Sequence, residues 1–161
     1  ALVEDGAVTA AWIWLPVHEH LAVAVRGAGT TLDGAAVEAP SGPAPAFEGL
    51  RGWYSDRFIP AEVVARADQD ALSALSQRPP MSAAVAYVRL LQGESDAALL
   101  WRSHAWDHAP GSLLLAEAGG SVRHLDGAAY RPGVAGRGLV LARDDRAFAP
   151  FRRALFGDAE V

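Results

Sequence analysis

Trp106-Asp107-His108-Ala109-Pro110-Gly111, followed by Leu113-Leu114-Leu115-Ala116-Glu117-Ala118-Gly119-Gly120, is the stretch on which the reading of this chain turns. It sets an acidic side chain at the mouth of a short apolar helix that ends in two glycines. Taken as the N-cap, Asp107 would accept the free N–H groups of the first turn and sit well in the dipole field. The alternative is that an acid so placed holds a cation. Pro110 then falls in the first turn, where a missing N–H costs nothing. Gly119-Gly120 stops the helix, with Glu117 near its end.

Outward from this helix, the second half alternates helix and strand. Strands are expected at Leu50 to Tyr54, Ala97 to Trp101, Ser121 to His124 and Gly138 to Ala142. Helices are expected from Pro60 to Ser76, stopped by Arg78-Pro79-Pro80, and from Ser82, a candidate N-cap, to Leu91. A last helix is expected from Asp144 to Leu155, with Phe148, Phe151 and Leu155 on one face. The first residues read differently. Ala1 to Gly6 looks like the end of a strand entering a turn. Val8 to Leu15, Leu21 to Arg26 and Thr30 to Leu32 form a small antiparallel meander closed by Asp33-Gly34. Ala39 to Phe47 is a proline-rich surface connection. The fold class is therefore α/β, a layered mixed sheet flanked by helices, with an N-terminal antiparallel meander.

Composition narrows the function. The chain has 161 residues, a net charge of −5 and 51% apolar residues, which suits one globular domain with a real core. An acidic balance argues against nucleic acid as the main partner. No apolar run reaches the length that crosses a bilayer, and no signal-peptide pattern opens the chain. There is no cysteine, which excludes thiol nucleophiles and zinc–thiolate sites and is compatible with a cytoplasmic location. All 14 basic residues are arginine, so Schiff-base and P-loop lysines are excluded as well.

The Trp106-Asp107 stretch with Glu117-Ala118-Gly119-Gly120 resembles the C-terminal signature of the inositol monophosphatase family, with Pro110 where that family often has alanine. Val3-Glu4-Asp5-Gly6, Leu15-Pro16, Ala24 to Gly29 and Leu32-Asp33-Gly34 are similar to its middle strands. Ser82-Ala83-Ala84 and Gly93-Glu94-Ser95-Asp96 are similar to its Ser/Thr-Ala helix and the turn beyond. The resemblance implies Mg²⁺-dependent hydrolysis of phosphate monoesters, with a small phosphorylated metabolite as partner and a homodimeric assembly. It makes Asp107 a metal ligand, a role that suits the hard oxygen donors magnesium prefers. The family's other ligands, an upstream glutamate and an Asp-Pro-x-Asp-Gly-Thr motif, are absent, and the chain contains no Asp-Pro at all. This predicts the C-terminal half of such a phosphatase, inactive alone. Residues 1–37 would belong to the sheet of the other half and residues 38–161 to the C-terminal α/β domain. The alternative is a non-catalytic binding or assembly module derived from the same family.

On the substrate side the resemblance points to Ser82 and Ala83, with helix capping as the other reading of Ser82. Inositol-selective members carry a glutamate seven positions before the Trp-Asp aspartate. Here that residue is Leu100, which argues against inositol phosphate as the preferred substrate. Arg102 either binds a second anionic group or is a solvated arginine after a strand. His108 is placed for contact with the phosphate or a metal-bound water, whereas His104 reads as exposed. His18 and His20 read as a polar strand end, with a transition-metal pair as the alternative. The five tryptophans, Trp12, Trp14, Trp53, Trp101 and Trp106, read mainly as core. Trp12 and Trp14 share one face of a strand and Ile13 occupies the other, so both faces are expected to be covered, with another domain or subunit as a cover; an aromatic binding platform is the alternative.

Overall fold

The computed structural model describes residues 1–75, 79–80 and 82–158. Strands β1 (Leu2–Glu4), β2 (Ala7–Leu15), β3 (His20–Val25), β4 (Thr30–Leu32) and β5 (Ala35–Ala36) form a five-stranded antiparallel sheet in chain order. Asp5-Gly6 and Asp33-Gly34 close two of its hairpins with positive φ at both central residues, the geometry that matches strand twist. A second sheet contains β6 (Gly52–Tyr54), β7 (Ala97–Leu100), β8 (Ser121–Arg123) and β9 (Leu139–Ala142), in the order β6-β7-β9-β8. Its β6 and β7 run parallel, with Tyr54 opposite Leu99, and the other pairs are antiparallel.

Helices fill the remaining layers: α1 (Ala61–Arg66), α2 (Gln69–Ala74), α3 (Ala83–Leu91), α4 (Ala105–Glu117) and α5 (Phe148–Phe156). Alternation along the strands sorts the core. Ala98 on β7, with Leu139 and Leu141 on β9, faces one cluster, which also holds Ala11, Ile13, Ala22 and Ala24 of the first sheet and the apolar faces of α3 and α4. Ala97, Leu99 and Val140 face the other side, against Val63, Leu72, Phe151 and Leu155 of α1, α2 and α5. The order of layers is thus sheet, α3 and α4, sheet, then α1, α2 and α5. Helix α4 is the central element, because it packs on both sheets.

The glycines of the signature have physical reasons. Helix α4 ends in a Schellman turn: the Gly120 N–H donates to Leu115 O at 2.8 Å and the Gly119 N–H to Ala116 O at 3.2 Å. Gly119 has φ +84°, which favours glycine. A Cβ on Gly120 would strike the carbonyl oxygens of Ala142 and Arg143. Glu117 locks the helix end to the first sheet, its two carboxylate oxygens accepting from the N–H groups of Gly27 and Gly29, both at 3.0 Å.

Several expectations need correction. The helix expected from Pro60 to Ser76 is two short helices. Asp68 interrupts it and caps α2 by accepting from the Ala71 N–H at 2.9 Å. Ser76 and Arg78 lie outside the described residues. The segment expected as one helix from Asp144 begins as a 3-10 turn, Asp145–Ala147, before α5. Trp12 and Trp14 are about half exposed (55% and 53%) and Trp106 is 77% exposed, whereas Trp53 is buried. Among the described residues only the Ile13 face of β2 is covered. The opposite face, with Leu2, Trp12, Trp14, Leu21 and Val25, is an apolar surface. His20 is held by Asp33, with Nδ1 2.7 Å from the carboxylate. Hydrogen bonds from the Leu21 N–H and from His20 keep Asp33 below the usual aspartate pKa. Among the described residues no helix is long and apolar enough to cross a membrane.

Candidate active site

Parallel pairing of β6 and β7 brings the segments that follow both strands to the same sheet edge. Ligands of α/β folds commonly bind beyond the carboxyl ends of strands. Here a cleft of about 710 Å³ opens at that edge. One wall carries Arg57 and Phe58, which follow β6, and another carries Leu100, Trp101 and Arg102, which close β7. The N-terminal ends of α3 and α4 complete it with Ser82, Ala83 and Asp107. All five residues expected at a site, Ser82, Ala83, Arg102, Asp107 and His108, line this one cleft.

The details differ from the sequence reading. His104, not Asp107, is the N-cap residue of α4, and it makes no side-chain cap bond. Asp107 lies in the first turn, its N–H bonded to His104 O at 3.1 Å. Its side chain is exposed and has no hydrogen-bond or ion-pair partner among the described residues. The carboxylate is therefore free to act as a hard oxygen ligand. Pro110 is inside the helix. It cannot donate to the Trp106 carbonyl, and its ring crowds that carbonyl. Ser82 does cap α3, its Oγ accepting from the Ala84 N–H at 3.2 Å.

His108 is buried beneath the cleft wall. Its Nδ1 is hydrogen-bonded to the Tyr87 hydroxyl at 3.0 Å, and the ring also bonds the Arg102 backbone. His108 thus joins α3, α4 and the end of β7. Burial lowers its pKa, and the nearby Asp107 charge partly opposes that shift. Burial raises the pKa of Tyr87 strongly and that of Tyr130 as well, in each case with help from Asp107. These phenols stay neutral. His104 stacks on Trp106 at the rim, with ring centres 4.5 Å apart.

The sequence reading missed Arg57, Phe58 and Tyr87. Arg57-Phe58 follows an expected strand, and only the parallel pairing with β7, which a sequence does not display, carries it to the cleft. Among the described residues no group of three or more His, Asp or Glu side chains is placed to hold a metal ion. Asp107 stands alone.

A layered α/β fold with a cleft at the carboxyl ends of two parallel strands, lined by an unpartnered carboxylate and arginines, defines the class of protein and the place of its candidate site. The chain belongs to the inositol monophosphatase family, whose family model matches residues 1–155. It is similar to a 3′(2′),5′-bisphosphate nucleotidase of Candida albicans, with 31% identity over 87 residues covering 50% of this chain and 24% of the relative. Its fold matches an inositol monophosphatase from Zymomonas mobilis with a TM-score of 0.81 at 20% identity, over 96% of this chain and 60% of the other. It also matches a Ca-bound member of the family from Staphylococcus aureus with a TM-score of 0.73 at 20% identity, over 92% and 54%. The chain spans less than two thirds of the length of each relative.

Proposed function

We infer that this chain is the substrate-side portion of a Mg²⁺-dependent phosphomonoesterase that hydrolyses a small phosphorylated metabolite. The observation that carries this reading is the unpartnered, exposed Asp107 carboxylate on the same cleft as Ser82, Ala83 and Arg102. A hard anionic oxygen in an open cleft suits a divalent magnesium ion, and a Ca-bound family relative supports a divalent cation. Bound there, such an ion would neutralise phosphate charge and activate water. The chain's own residues would do the rest. Asp107 would hold the cation, Arg102 an anionic substrate group, and the capped N-terminus of α3 at Ser82 and Ala83 would border the phosphate. His108 would hold Arg102 and the first turn of α4 in place from below. Leu100 supplies an apolar wall where inositol-selective members carry a glutamate, so a sugar phosphate or a nucleotide fits better than inositol phosphate. Residues 1–37 would complete the sheet of a second half and residues 38–161 would form the C-terminal domain. A cytoplasmic homodimer is the assembly that goes with this reading.

One carboxylate does not make a multi-ion site, so the chain alone is expected to be inactive. The test is a phosphate-release assay on the isolated chain with Mg²⁺ and a panel of phosphomonoesters. Turnover above the buffer rate would refute the inactive-half reading. The absence of a metal-binding cluster among the described residues also favours a second reading, a non-catalytic binding or assembly module. The coding sequence upstream of Ala1 separates the two: an Asp-Pro-x-Asp-Gly-Thr motif there supports the enzyme, and its absence supports the module.

A further inference from the structure

A row of four rings runs beneath the cleft. Tyr87 on α3 meets His108 on α4 edge to face, with ring centres 6.0 Å apart, and His108 meets Tyr130 in the same way at 6.1 Å. Tyr130 in turn touches His124, which follows β8, with centres 6.1 Å apart and planes tilted by 49°. All four rings are buried. The first two are satisfied: the Tyr87 hydroxyl bonds His108 Nδ1, and the His108 ring bonds the Arg102 backbone. The last two are not. The Tyr130 hydroxyl and His124 Nε2 are buried atoms with no hydrogen-bond partner among the described residues.

These two atoms match chemically. His124 Nδ1 lies 2.9 Å from the Gly138 carbonyl oxygen. That oxygen can only accept, so Nδ1 carries the proton and the neutral ring presents a lone pair at Nε2. Burial keeps the Tyr130 phenol protonated, so it has a hydrogen to donate. One buried donor and one buried acceptor thus lie on touching rings. Folded chains rarely leave such groups unpaired, and a polar pair that does not bond directly is commonly joined by a water. His124 is also a firm abutment. Its N–H donates to Ala128 O at 2.8 Å, and a Cβ on Gly136 would strike its ring. The backbone of Tyr130 is fixed too, its N–H donating to Val122 O at 2.9 Å.

We propose that Tyr130 and His124 bind one buried water molecule between them, and that through it they act as positioning residues for His108. The Tyr130 O–H donates to the water oxygen, and the water donates to His124 Nε2. Two bonds are the fewest that a buried water usually makes. The row then joins α3 to the entry of β9 without a gap. The segment between β8 and β9 braces the edge of Tyr130 against the ring that holds the Arg102 backbone. The inference concerns the support of the cleft and holds whatever the cleft binds.

The test uses the full chain labelled with ¹⁵N-histidine, at about pH 8, where histidine is ordinarily neutral. Cross-relaxation is expected between a long-lived water and the ring protons of Tyr130 and His124. The His124 Nε2 signal should lie where a hydrogen-bonded lone pair places it. Tyr130→Phe keeps the ring contacts and removes the donor. In that variant both signatures should vanish while the His124 Nδ1–H bond to Gly138 persists, and the His108 ring N–H should exchange with solvent severalfold faster. Absence of the water contact in the unmodified chain overturns the proposal, and that measurement needs no variant to fold. An unmoved His124 Nε2 signal in Tyr130→Phe, or unchanged exchange at His108, overturns it as well.

Discussion

Gly111 and Tyr87 occupy a space that admits no Cβ: a methyl group at residue 111 would enter the Tyr87 ring. That ring is fully buried between α3 and α4. Its hydroxyl bonds His108, so the packing of Gly111 also sets the position of His108 beneath the cleft. Gly111→Ala should therefore destabilise the chain even though alanine is the better helix former by ~1 kcal/mol. Overpacking costs about 1–3 kcal/mol, and the ring has no free direction to move. A net fall in Tm of a few degrees is expected in thermal melts. An unchanged or higher Tm would show that Tyr87 can give way.

Glu117 tests the other end of the same helix. Its two oxygens each accept a backbone N–H from the Gly27–Gly29 turn. Glutamine offers one acceptor oxygen, so one of those N–H groups loses its partner. Glu117→Gln should cost about 1–2 kcal/mol, at the low end for bonds to charged groups because the turn is partly exposed. Amide exchange at Gly27 and Gly29 should quicken more than in the core of β2. Uniform acceleration across the chain would instead indicate global loosening.

Pro110 tests the cost of an imperfect signature. It lies within α4, where it removes the bond to the Trp106 carbonyl. Pro110→Ala restores that donor and relieves the ring. A gain on the order of 1–3 kcal/mol in urea melts is expected. A loss would mean that the proline packs usefully at the helix start.

His108 links stability to pH. Burial holds its folded pKa below the ordinary value of 6.5. As pH falls through the unfolded value, the unfolded chain takes up a proton that the folded chain refuses. Stability from this residue is therefore full above about pH 7 and declines below it. The carboxylates with lowered pKa, Asp33, Asp144 and Asp145, act lower down, as pH falls through and below their unfolded value of 3.8. Their window opens well below the pH at which that of His108 opens. The drop in Tm between about pH 7 and about pH 5.5 should shrink in His108→Gln. Parallel pH profiles for the two proteins would rule out His108 as its source.

Local signals made much of the fold legible. The Asp5-Gly6 and Asp33-Gly34 turns, the meander strands and the Ser82 cap lie where alternation and capping place them. Asp68 broke an expected helix because its side chain satisfies the Ala71 N–H better than continued helix would. The cap of α4 was misplaced because the helix starts at Ala105, where no side chain signals it. Trp12 and Trp14 read as core because large apolar side chains usually are, yet nothing among the described residues covers their face, which leaves the expected cover to another domain or subunit. At the cleft, the resemblance led to Asp107, Ser82 and Ala83, and the place of Arg102 just after an expected strand made it a candidate. Arg57, Phe58 and Tyr87 escaped because only tertiary pairing brings them there.

Asp107 separates the functional readings most sharply. Its carboxylate has no partner to lose among the described residues, so Asp107→Asn should change stability by no more than the ~1 kcal/mol that a charge in a helix's first turn contributes. Cation binding should respond quite differently. Mn²⁺, an oxygen-seeking paramagnetic ion, should broaden the amide signals of residues 104–109 in the parent chain and leave them sharp in the variant. The comparison needs no catalytic turnover, so it applies to this chain whether or not a second half completes the site. Equal broadening in both proteins would remove Asp107 from the metal site and leave the signature with a role in packing α4 alone.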